Sequence, residues 1–432
     1  MAATSPLFQP IRIGALDVPG RVWKSATSET RASDDGEVTD SLLSFYEPIA
    51  AAGTPLIITG NLYVSEQGKS TRWQAGADRD VLVPGLRRWA DLVHRHRGLL
   101  VAQLNHCGRQ TMPRAIGHEA VSASDVREKL TGTRPRPLRA DELPGIVDAF
   151  ARAAERCVSA GFDGIQIHAG HGYLLHQFLT PYTNRRSDDH GGSFDRRLRL
   201  LRDVHRAIRA RVGDRVPVLL KLGGHDALPG RDGLDTAALA AVAYAMQEEG
   251  IDAVEVTVGH YESGPLMVRG RFGPFFEGLL TEGIGPELAI HRRLALRAAR
   301  RPLAKLAERL WPYREGFNLP YAEAFRARLR IPVVCVGGFR TGAAMEAALT
   351  SGRCDAVSVA RAMIADPLLY RHLREGTSGP RCELCNGCIA RAGSRPIDCY
   401  SPTIRREKDE MLAALGFSSS QSPPGRARQA RA

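Results

Sequence analysis

The chain has 432 residues, of which 43% are hydrophobic and 25% charged, a balance typical of globular proteins that excludes wholesale disorder. The formal net charge is +12, but residues 291–314 carry +7 and residues 417–432 carry +3, so that the rest of the chain is nearly neutral. A nearly neutral body has no phosphate-tracking face, and we expect no nucleic-acid binding. The sequence has no secretory signal and no apolar run near the roughly 20 residues of a membrane span, so we expect a cytoplasmic protein without a transmembrane segment.

Eight short apolar runs, bounded by glycine, proline or polar residues, predict eight strands. Their apolar residues are continuous rather than alternating, as in parallel strands that are buried on both faces. The predicted strands are Arg21–Thr27, Pro55–Gly60, Leu99–Leu104, Gly164–His168, Pro217–Leu222, Ala253–Val258, Pro332–Gly338 and Ala356–Arg361. Helical patterns separate most of them, for example Glu142–Ala160, Phe194–Val212, Thr236–Glu249 and Gly342–Ser351.

Eight strands that alternate with helices predict an α/β protein with a (β/α)₈ TIM-barrel fold. A doubly wound sheet is the alternative, but it would usually carry a glycine-rich nucleotide fingerprint after the first strand. The sequence there is SETRASDDGE, which lacks that fingerprint. We therefore predict one barrel domain over residues 1–376.

A long segment separates the sixth and seventh predicted strands and forms an insertion over about residues 262–325. Residues 291–311 read as a basic amphipathic helix that is broken at Pro302. This helix is compatible with a solvated surface element, a lid, a dimer contact or a peripheral membrane contact, so a homo-oligomer also stays open. After the barrel we predict a cysteine-rich extension, residues 377–415, and a disordered polar tail, residues 416–432.

Polar residues at the ends of the predicted strands indicate a flavin mononucleotide (FMN) site, because the ligands of this fold bind at the carboxyl ends of its strands. Four residues with backbone N–H groups or a cation for phosphate end the last two strands: Gly337, Gly338, Ala360 and Arg361. Gln103 can donate and accept hydrogen bonds at the edge of a pyrimidine-like ring. Lys221 can place positive charge where such a ring becomes anionic on reduction.

His168 and His171 lie three residues apart at the end of the fourth strand and are followed by Tyr173. Two imidazole donors and a phenol suit a site that polarises an enone carbonyl and protonates the product. Zinc is the alternative, with His106 as a third ligand for a barrel hydrolase.

Seven stretches along the barrel resemble the old yellow enzyme family, the FMN-dependent ene-reductases. The fourth is the most specific, because it combines H-x-x-H-G-Y-L-x-x-Q-F-L with N-R-R-x-D and G-G-S. The stretches are GRVWKSATSE, LIITGN, VAQLNHCGRQT, GFDGIQIHAGHGYLLHQFLTPYTNRRSDDHGGSFDRRLRLL, LLKLG, IPVVCVGGF and ARAMIADP.

The resemblance implies a role for each matching position. The flavin ring would be held by Ser25, Ala26, Thr27, Ser28, Gly60, Gln103 and Lys221. The phosphate would be held by Gly337, Gly338, Ala360 and Arg361. His168 and His171 would bind a carbonyl or nitro oxygen of the substrate, and Tyr173 would deliver a proton. NAD(P)H would supply the hydride that FMN passes to an activated alkene.

Two positions depart from the family pattern. Many relatives carry Arg at the position of Lys221, and Thr or Cys at the position of Ser28. A point charge thus replaces a planar guanidinium, and a hydroxyl stands near the reactive edge of the flavin. With these two changes, the resemblance does not predict the reduction potential of the flavin or the substrate.

Cys382, Cys385, Cys388 and Cys399 form a C-x₂-C-x₂-C-x₁₀-C pattern, whose close spacing suits an iron–sulfur cluster or a tetrahedral metal ion. The pattern is similar to the iron–sulfur loop of the 2,4-dienoyl-CoA reductase and trimethylamine dehydrogenase branch of the family. Its last spacing is shorter than in that branch. A [4Fe–4S] cluster, zinc and metal-free thiols therefore stay open.

These observations predict an FMN-dependent oxidoreductase that reduces activated C=C bonds of small unsaturated carbonyl compounds with NAD(P)H. The alternative within the same fold is a flavin-dependent dehydrogenase or demethylase that exports electrons through a C-terminal iron–sulfur cluster. The alternative from another class is the zinc-dependent barrel hydrolase.

Overall fold

The computed structural model describes residues 5–111, 116–228 and 230–417. Eight parallel strands close into a barrel in the order β3, β4, β5, β8, β9, β10, β11 and β12, with β12 paired to β3. The strands are β1 (Ile11–Ile13), β2 (Leu16–Val18), β3 (Val22–Lys24), β4 (Leu56–Tyr63), β5 (Leu99–Asn105), β6 (Val121–Ser122), β7 (Arg136–Pro137), β8 (Gly164–His168), β9 (Val218–Gly223), β10 (Ala253–Thr257), β11 (Val333–Val336) and β12 (Ala356–Val359). The predicted TIM barrel and its eight strands are confirmed.

Helices follow most of the barrel strands and form its outer layer. The α-helices of the described residues, including those of the insertion and of the C-terminal extension, are α1 (Asp40–Ala51), α2 (Val83–Arg95), α3 (Leu143–Ser159), α4 (Leu174–Leu179), α5 (Phe194–Val212), α6 (Thr236–Glu248), α7 (Pro265–Val268), α8 (Gly273–Thr281), α9 (Ile290–Leu310), α10 (Leu319–Arg326), α11 (Gly342–Thr350), α12 (Arg361–Ala365), α13 (Leu369–Glu375), α14 (Gly387–Ala390) and α15 (Pro402–Ala414). All four predicted helices are present, within one residue at each end. None of the helices in the described residues is long and apolar enough to cross a bilayer.

The barrel is closed at one end by an antiparallel hairpin, β1–β2, which the sequence patterns do not predict. Ile13 and Val18 of the hairpin are fully buried and pack with Trp23 and the inward-facing residues of the strands. Each hairpin strand has only three residues, so no period of alternation can develop. The hairpin leaves the other end of the barrel, where the strands terminate, for the candidate site.

The insertion between β10 and β11 corrects one prediction. Helix α9 runs without a break through Pro302, which is exposed to solvent. Ala304 and Ala307 pack this helix against Phe272, whose backbone N–H also donates to Glu308 Oε1 at 2.6 Å. These contacts all lie after the proline and hold the C-terminal half of the helix in place, although proline removes one backbone donor.

The C-terminal extension packs against the loop that follows β3. Ile397 N donates to Glu29 O at 2.7 Å, and the buried Arg31 donates to Ile397 O at 2.7 and 3.1 Å. The segment around Ile397, two residues before Cys399, is thereby fixed to Glu29 and Arg31. The tail that was predicted to be disordered lies outside the described residues from position 418 onward.

Candidate active site

Parallel pairing places several predicted site residues side by side at the open end of the barrel. Gln103 of β5 pairs with Gln166 of β8, His168 of β8 pairs with Lys221 of β9, and Lys221 pairs with Glu255 of β10. The carboxyl ends of parallel strands meet at one edge, which explains why residues far apart in the chain converge here.

The histidine pair lies where β8 ends. The ring centres of His168 and His171 are 5.4 Å apart. His171 has φ 56°, in the left-handed region that residues other than glycine rarely adopt, and its Nε2 lies 3.0 Å from Thr257 Oγ1. The two rings are therefore neighbours, and Thr257 is a contact that the sequence patterns do not indicate.

Tyr173 completes this group. Its ring packs edge-on against His168 with ring centres 4.8 Å apart. Tyr173 is half-buried, and its hydroxyl makes no hydrogen bond to any residue that the structure describes. The phenol is therefore available to a ligand.

Burial keeps all three side chains neutral. It lowers the pKa of His171 to about 3, with Lys221 adding to the effect. It also lowers the pKa of His168 well below its usual range, helped by His171 and Lys221, and raises the pKa of Tyr173 above its usual value. At neutral pH the site thus offers uncharged imidazoles and a protonated phenol.

The residues predicted to bind the flavin ring are connected by hydrogen bonds through a buried carboxylate, Glu255. Gln103 Nε2 donates to Gln166 Oε1 at 2.6 Å, and Gln166 Nε2 donates to Glu255 Oε2 at 3.0 Å. Lys221 Nζ lies 2.9 Å from the same oxygen, and Ser25 Oγ donates to Glu255 Oε1 at 2.8 Å. Neither Glu255 nor Gln166 is among the predicted site residues, although an acid inside the apolar run AVEVT was a usable signal.

The loop after β3 carries the predicted residues Ser25, Ala26, Thr27 and Ser28, of which the last three are half-buried. Lys24 Nζ donates to Thr27 Oγ1 at 2.8 Å.

Gly60 N donates to Glu29 Oε1 at 2.5 Å, and a β-carbon at Gly60 would overlap the Glu29 carboxylate at 1.8 Å. Glycine is therefore required at position 60 by the close approach of Glu29. Its contact with a flavin ring stays a prediction.

The residues predicted to hold phosphate lie together, because β11 pairs with β12. Gly338 follows Gly337 after β11 and has φ 71°, and Ala360 precedes helix α12, which begins at Arg361. Arg361 Nη1 donates to Arg269 O at 2.8 Å and also to Asn386 Oδ1. This arginine therefore links the insertion, the barrel and the cysteine loop.

The open end of the barrel fits a flavin in the chemistry of its groups. Both side-chain polar atoms of Asn105 are buried without a hydrogen-bond partner among the described residues, as is Nε2 of His106. Unpartnered buried polar atoms are costly, so a polar ligand would satisfy them. Together with Gln103 and Lys221 they offer hydrogen-bond donors and acceptors of the kind that a flavin ring needs.

No group of three or more His, Cys, Asp or Glu residues in the described part of the chain could hold a metal ion. His106, His168 and His171 do not form such a group, which contradicts the zinc-hydrolase alternative. The same holds for a single zinc ion at the four cysteines.

The cysteines nevertheless share one neighbourhood. Burial raises the thiol pKa of Cys388 to about 12, and the charges of Cys382, Cys385 and Cys399 act on it. Burial also raises the thiol pKa of Cys399 to about 12. In a cubane cluster each thiolate binds a different iron, so its sulfurs lie farther apart than the ligands of one ion. An iron–sulfur cluster at these thiols stays a prediction.

A buried ion pair supports the region behind the histidines. Arg109 Nη2 lies 2.7 Å from Glu262 Oε1, and the two side chains are 0% and 1% exposed. Glu262 Oε2 also accepts from Arg231 and Tyr182 at 2.6 and 2.7 Å. Glu262 lies at the start of the insertion, so this network ties the insertion to the barrel.

The sequence profile of the NADH:flavin oxidoreductase / NADH oxidase family matches residues 6–265. The chain belongs to this family. An NADH oxidase of Thermoanaerobacter brockii is 32% identical over 389 residues, which are 89% of this chain and 53% of the relative. A 4,4'-dithiodibutanoate disulfide reductase of Rhodococcus erythropolis is 31% identical over 390 residues, which are 90% and 93% of the two chains.

An old yellow enzyme homologue from Zymomonas mobilis has the same fold, with a TM-score of 0.68 and 25% identity over 92% of this chain and 98% of that chain. Membership in the NADH:flavin oxidoreductase family confirms the predicted resemblance. The chain spans about half the length of relatives such as the NADH oxidase.

Proposed function

We propose that this protein binds FMN at the open end of the barrel and reduces activated C=C bonds of small unsaturated carbonyl compounds with NAD(P)H. The observation that carries the proposal is the group of His168, His171 and Tyr173 beside Lys221, with all three aromatic side chains neutral. FMN, when bound, would accept a hydride from NAD(P)H and donate it to the alkene.

The chain's own residues would orient and polarise the substrate. His168 and His171 would donate hydrogen bonds to the carbonyl oxygen and stabilise the negative charge that develops there. Neutral imidazoles can bind this oxygen without adding a second buried cation beside Lys221.

Tyr173 would supply the proton that completes the reduction. Its hydroxyl has no protein partner in the described residues, and the pKa of this phenol lies above its usual value. A donor of this kind keeps its proton until a stronger base, such as an enolate carbon, develops beside it.

The test uses the FMN-loaded enzyme after reduction with dithionite, so that nicotinamide binding does not enter. We expect 2-cyclohexenone to reoxidise the enzyme and saturated cyclohexanone to leave it reduced. His168→Ala and His171→Ala should each slow the enone reaction by about 100-fold or more, the usual loss for one oxyanion donor. Reoxidation by ferricyanide is the control and should be unchanged.

The amide variants His168→Asn and His171→Asn retain a donor and should lose less. An enone that fails to reoxidise the wild-type enzyme would overturn the proposed activity. So would alanine variants that react at the wild-type rate.

A second candidate is electron export through an iron–sulfur cluster at Cys382, Cys385, Cys388 and Cys399. It is favoured by the shared neighbourhood of these thiols and by the clamp between Ile397 and Glu29, which fixes them beside the loop after β3. Ligation needs thiolates, so cluster assembly would release protons from these high-pKa thiols and stabilise the extension.

Iron and sulfide analysis of anaerobically purified protein tests this candidate. About four irons per chain, lost in Cys388→Ser, would support the cluster. Cys157→Ser is the matched control, because Cys157 is buried in helix α3 away from the cysteine loop. Iron-free protein with intact flavin would exclude electron export by this route.

A further inference from the structure

Glu255 is the most enclosed carboxylate of the candidate site. Its side chain is 0% exposed and lies in the middle of β10. Four neighbours surround its two oxygens. Ser25 Oγ and Ser358 Oγ donate to Oε1 at 2.8 and 2.6 Å, and Gln166 Nε2 and Lys221 Nζ contact Oε2 at 3.0 and 2.9 Å.

This carboxylate connects side chains from separate strands that face the same ligand space. Ser25 follows β3, and Lys221 belongs to β9. Gln103 of β5 is reached through Gln166, which donates to Glu255 and accepts from Gln103. A change at Glu255 would therefore disturb three of the predicted flavin-binding residues at once.

The pair of Lys221 and Glu255 is electrically neutral. Burial alone would raise the pKa of Glu255, but Lys221 and the donors Ser358 and Ser25 outweigh it and lower this pKa below its usual value. The carboxylate is thus ionised at neutral pH and compensates the lysine ammonium. A buried charge pair acts on its surroundings far less than an uncompensated charge would.

We propose that Glu255 is a positioning residue that lowers the reduction potential of the bound flavin by neutralising Lys221 and by holding Ser25 and Gln103 against the ring. Reduction adds negative charge at the pyrimidine edge, so an uncompensated Lys221 would favour the reduced form and raise the potential. With Glu255 in place the flavin is a stronger reductant toward its substrate. This inference rests on the proposed FMN site.

The test compares Glu255→Gln with Ser358→Ala in the FMN-loaded enzyme. The glutamine retains the size and hydrogen bonding of the side chain but not its charge, whereas Ser358→Ala removes one hydrogen bond to the same carboxylate and retains the charge. The measurements are the Kd of oxidised FMN and the midpoint potential against reference dyes.

In Glu255→Gln we expect reduced FMN to gain at least about tenfold in affinity relative to oxidised FMN, a rise of about 30 mV for a two-electron couple. Ser358→Ala should change this ratio by less than about threefold. An unchanged or lower potential in a Glu255→Gln enzyme that binds FMN would overturn the inference. A wild-type protein that binds no FMN would instead overturn the proposed function.

If Glu255→Gln does not fold, the double variant Lys221→Met/Glu255→Gln decides the question, because it leaves no unpaired buried charge. We compare it with Lys221→Met alone, in which Glu255 retains its charge and its hydrogen bonds from Ser25, Ser358 and Gln166. The ratio of reduced to oxidised affinity should be at least about tenfold higher in the double variant, and equal ratios in the two variants would show that the charge of Glu255 does not act on the flavin, which contradicts the proposal.

Discussion

The variant Tyr173→Phe removes one oxygen atom and should distinguish the two half-reactions, reduction by NAD(P)H and reoxidation by the enone. The ring of Tyr173 packs edge-on against His168 at 4.8 Å, and phenylalanine preserves that contact. The lost hydroxyl leaves no protein group unpaired, because it has no hydrogen bond to any described residue. We therefore expect the free energy of unfolding to change by less than about 0.5 kcal/mol.

The effect on chemistry should be large and confined to the half-reaction in which the alkene is protonated. A positioned general acid contributes about 10²–10⁴-fold, which corresponds to about 2.7–5.4 kcal/mol in the activation free energy. Anaerobic stopped-flow mixing measures each half separately, first with NAD(P)H and then with 2-cyclohexenone. Reduction by NAD(P)H should stay within about threefold of wild type.

Two outcomes would refute this reasoning. Equal losses in both halves would mean that the phenol positions ligands rather than supplies a proton. An unchanged enone reaction would mean that the proton comes from another donor or from water.

Three further predictions concern other parts of the chain. Glu262→Gln breaks the buried pair with Arg109 and should cost about 3–5 kcal/mol in urea unfolding. Glu248→Gln, in an exposed pair with Arg330, is the control and should cost far less. Similar losses in the two variants would contradict the assignment. Burial lowers the pKa of His106 to about 3. The free energy of unfolding should therefore fall as pH drops below about 6.5, by about 1.4 kcal/mol per pH unit from this residue. His106→Gln should make the dependence of the unfolding free energy on pH shallower. If residues 291–311 contact membranes, the protein should co-sediment with phosphatidylglycerol vesicles. Leu306 is 51% exposed, and Leu306→Glu should abolish this co-sedimentation. Equal co-sedimentation of the wild type and the variant would exclude the contact.

The barrel was predictable because its strands are apolar on both faces. The runs around Leu56–Tyr63 and Val218–Gly223 are typical of such buried parallel strands. The convergence of Gln103, His168 and Lys221 then follows from the rule that active sites of this fold lie at the strand ends. To predict that these three residues lie close together required only the fold and their positions at the strand ends.

The remaining features depend on contacts between distant segments. Pro302 reads as a helix break, but packing of Ala304 and Ala307 on the preceding helix outweighs the local preference. Glu255 lies within an apolar strand, and its role appears only when the register sets it beside Lys221. Local sequence patterns do not predict these contacts, because the contacts depend on how distant segments pair and pack.

The central claim is that the open end of this barrel binds FMN that cycles between NAD(P)H and an enone. The most direct test is the visible spectrum of anaerobically purified protein, recorded before NAD(P)H, after NAD(P)H and after 2-cyclohexenone. We predict flavin bands that bleach with NAD(P)H and return on addition of the enone. Protein that stays colourless after incubation with FMN, or flavin bands that NAD(P)H does not bleach, would contradict the account.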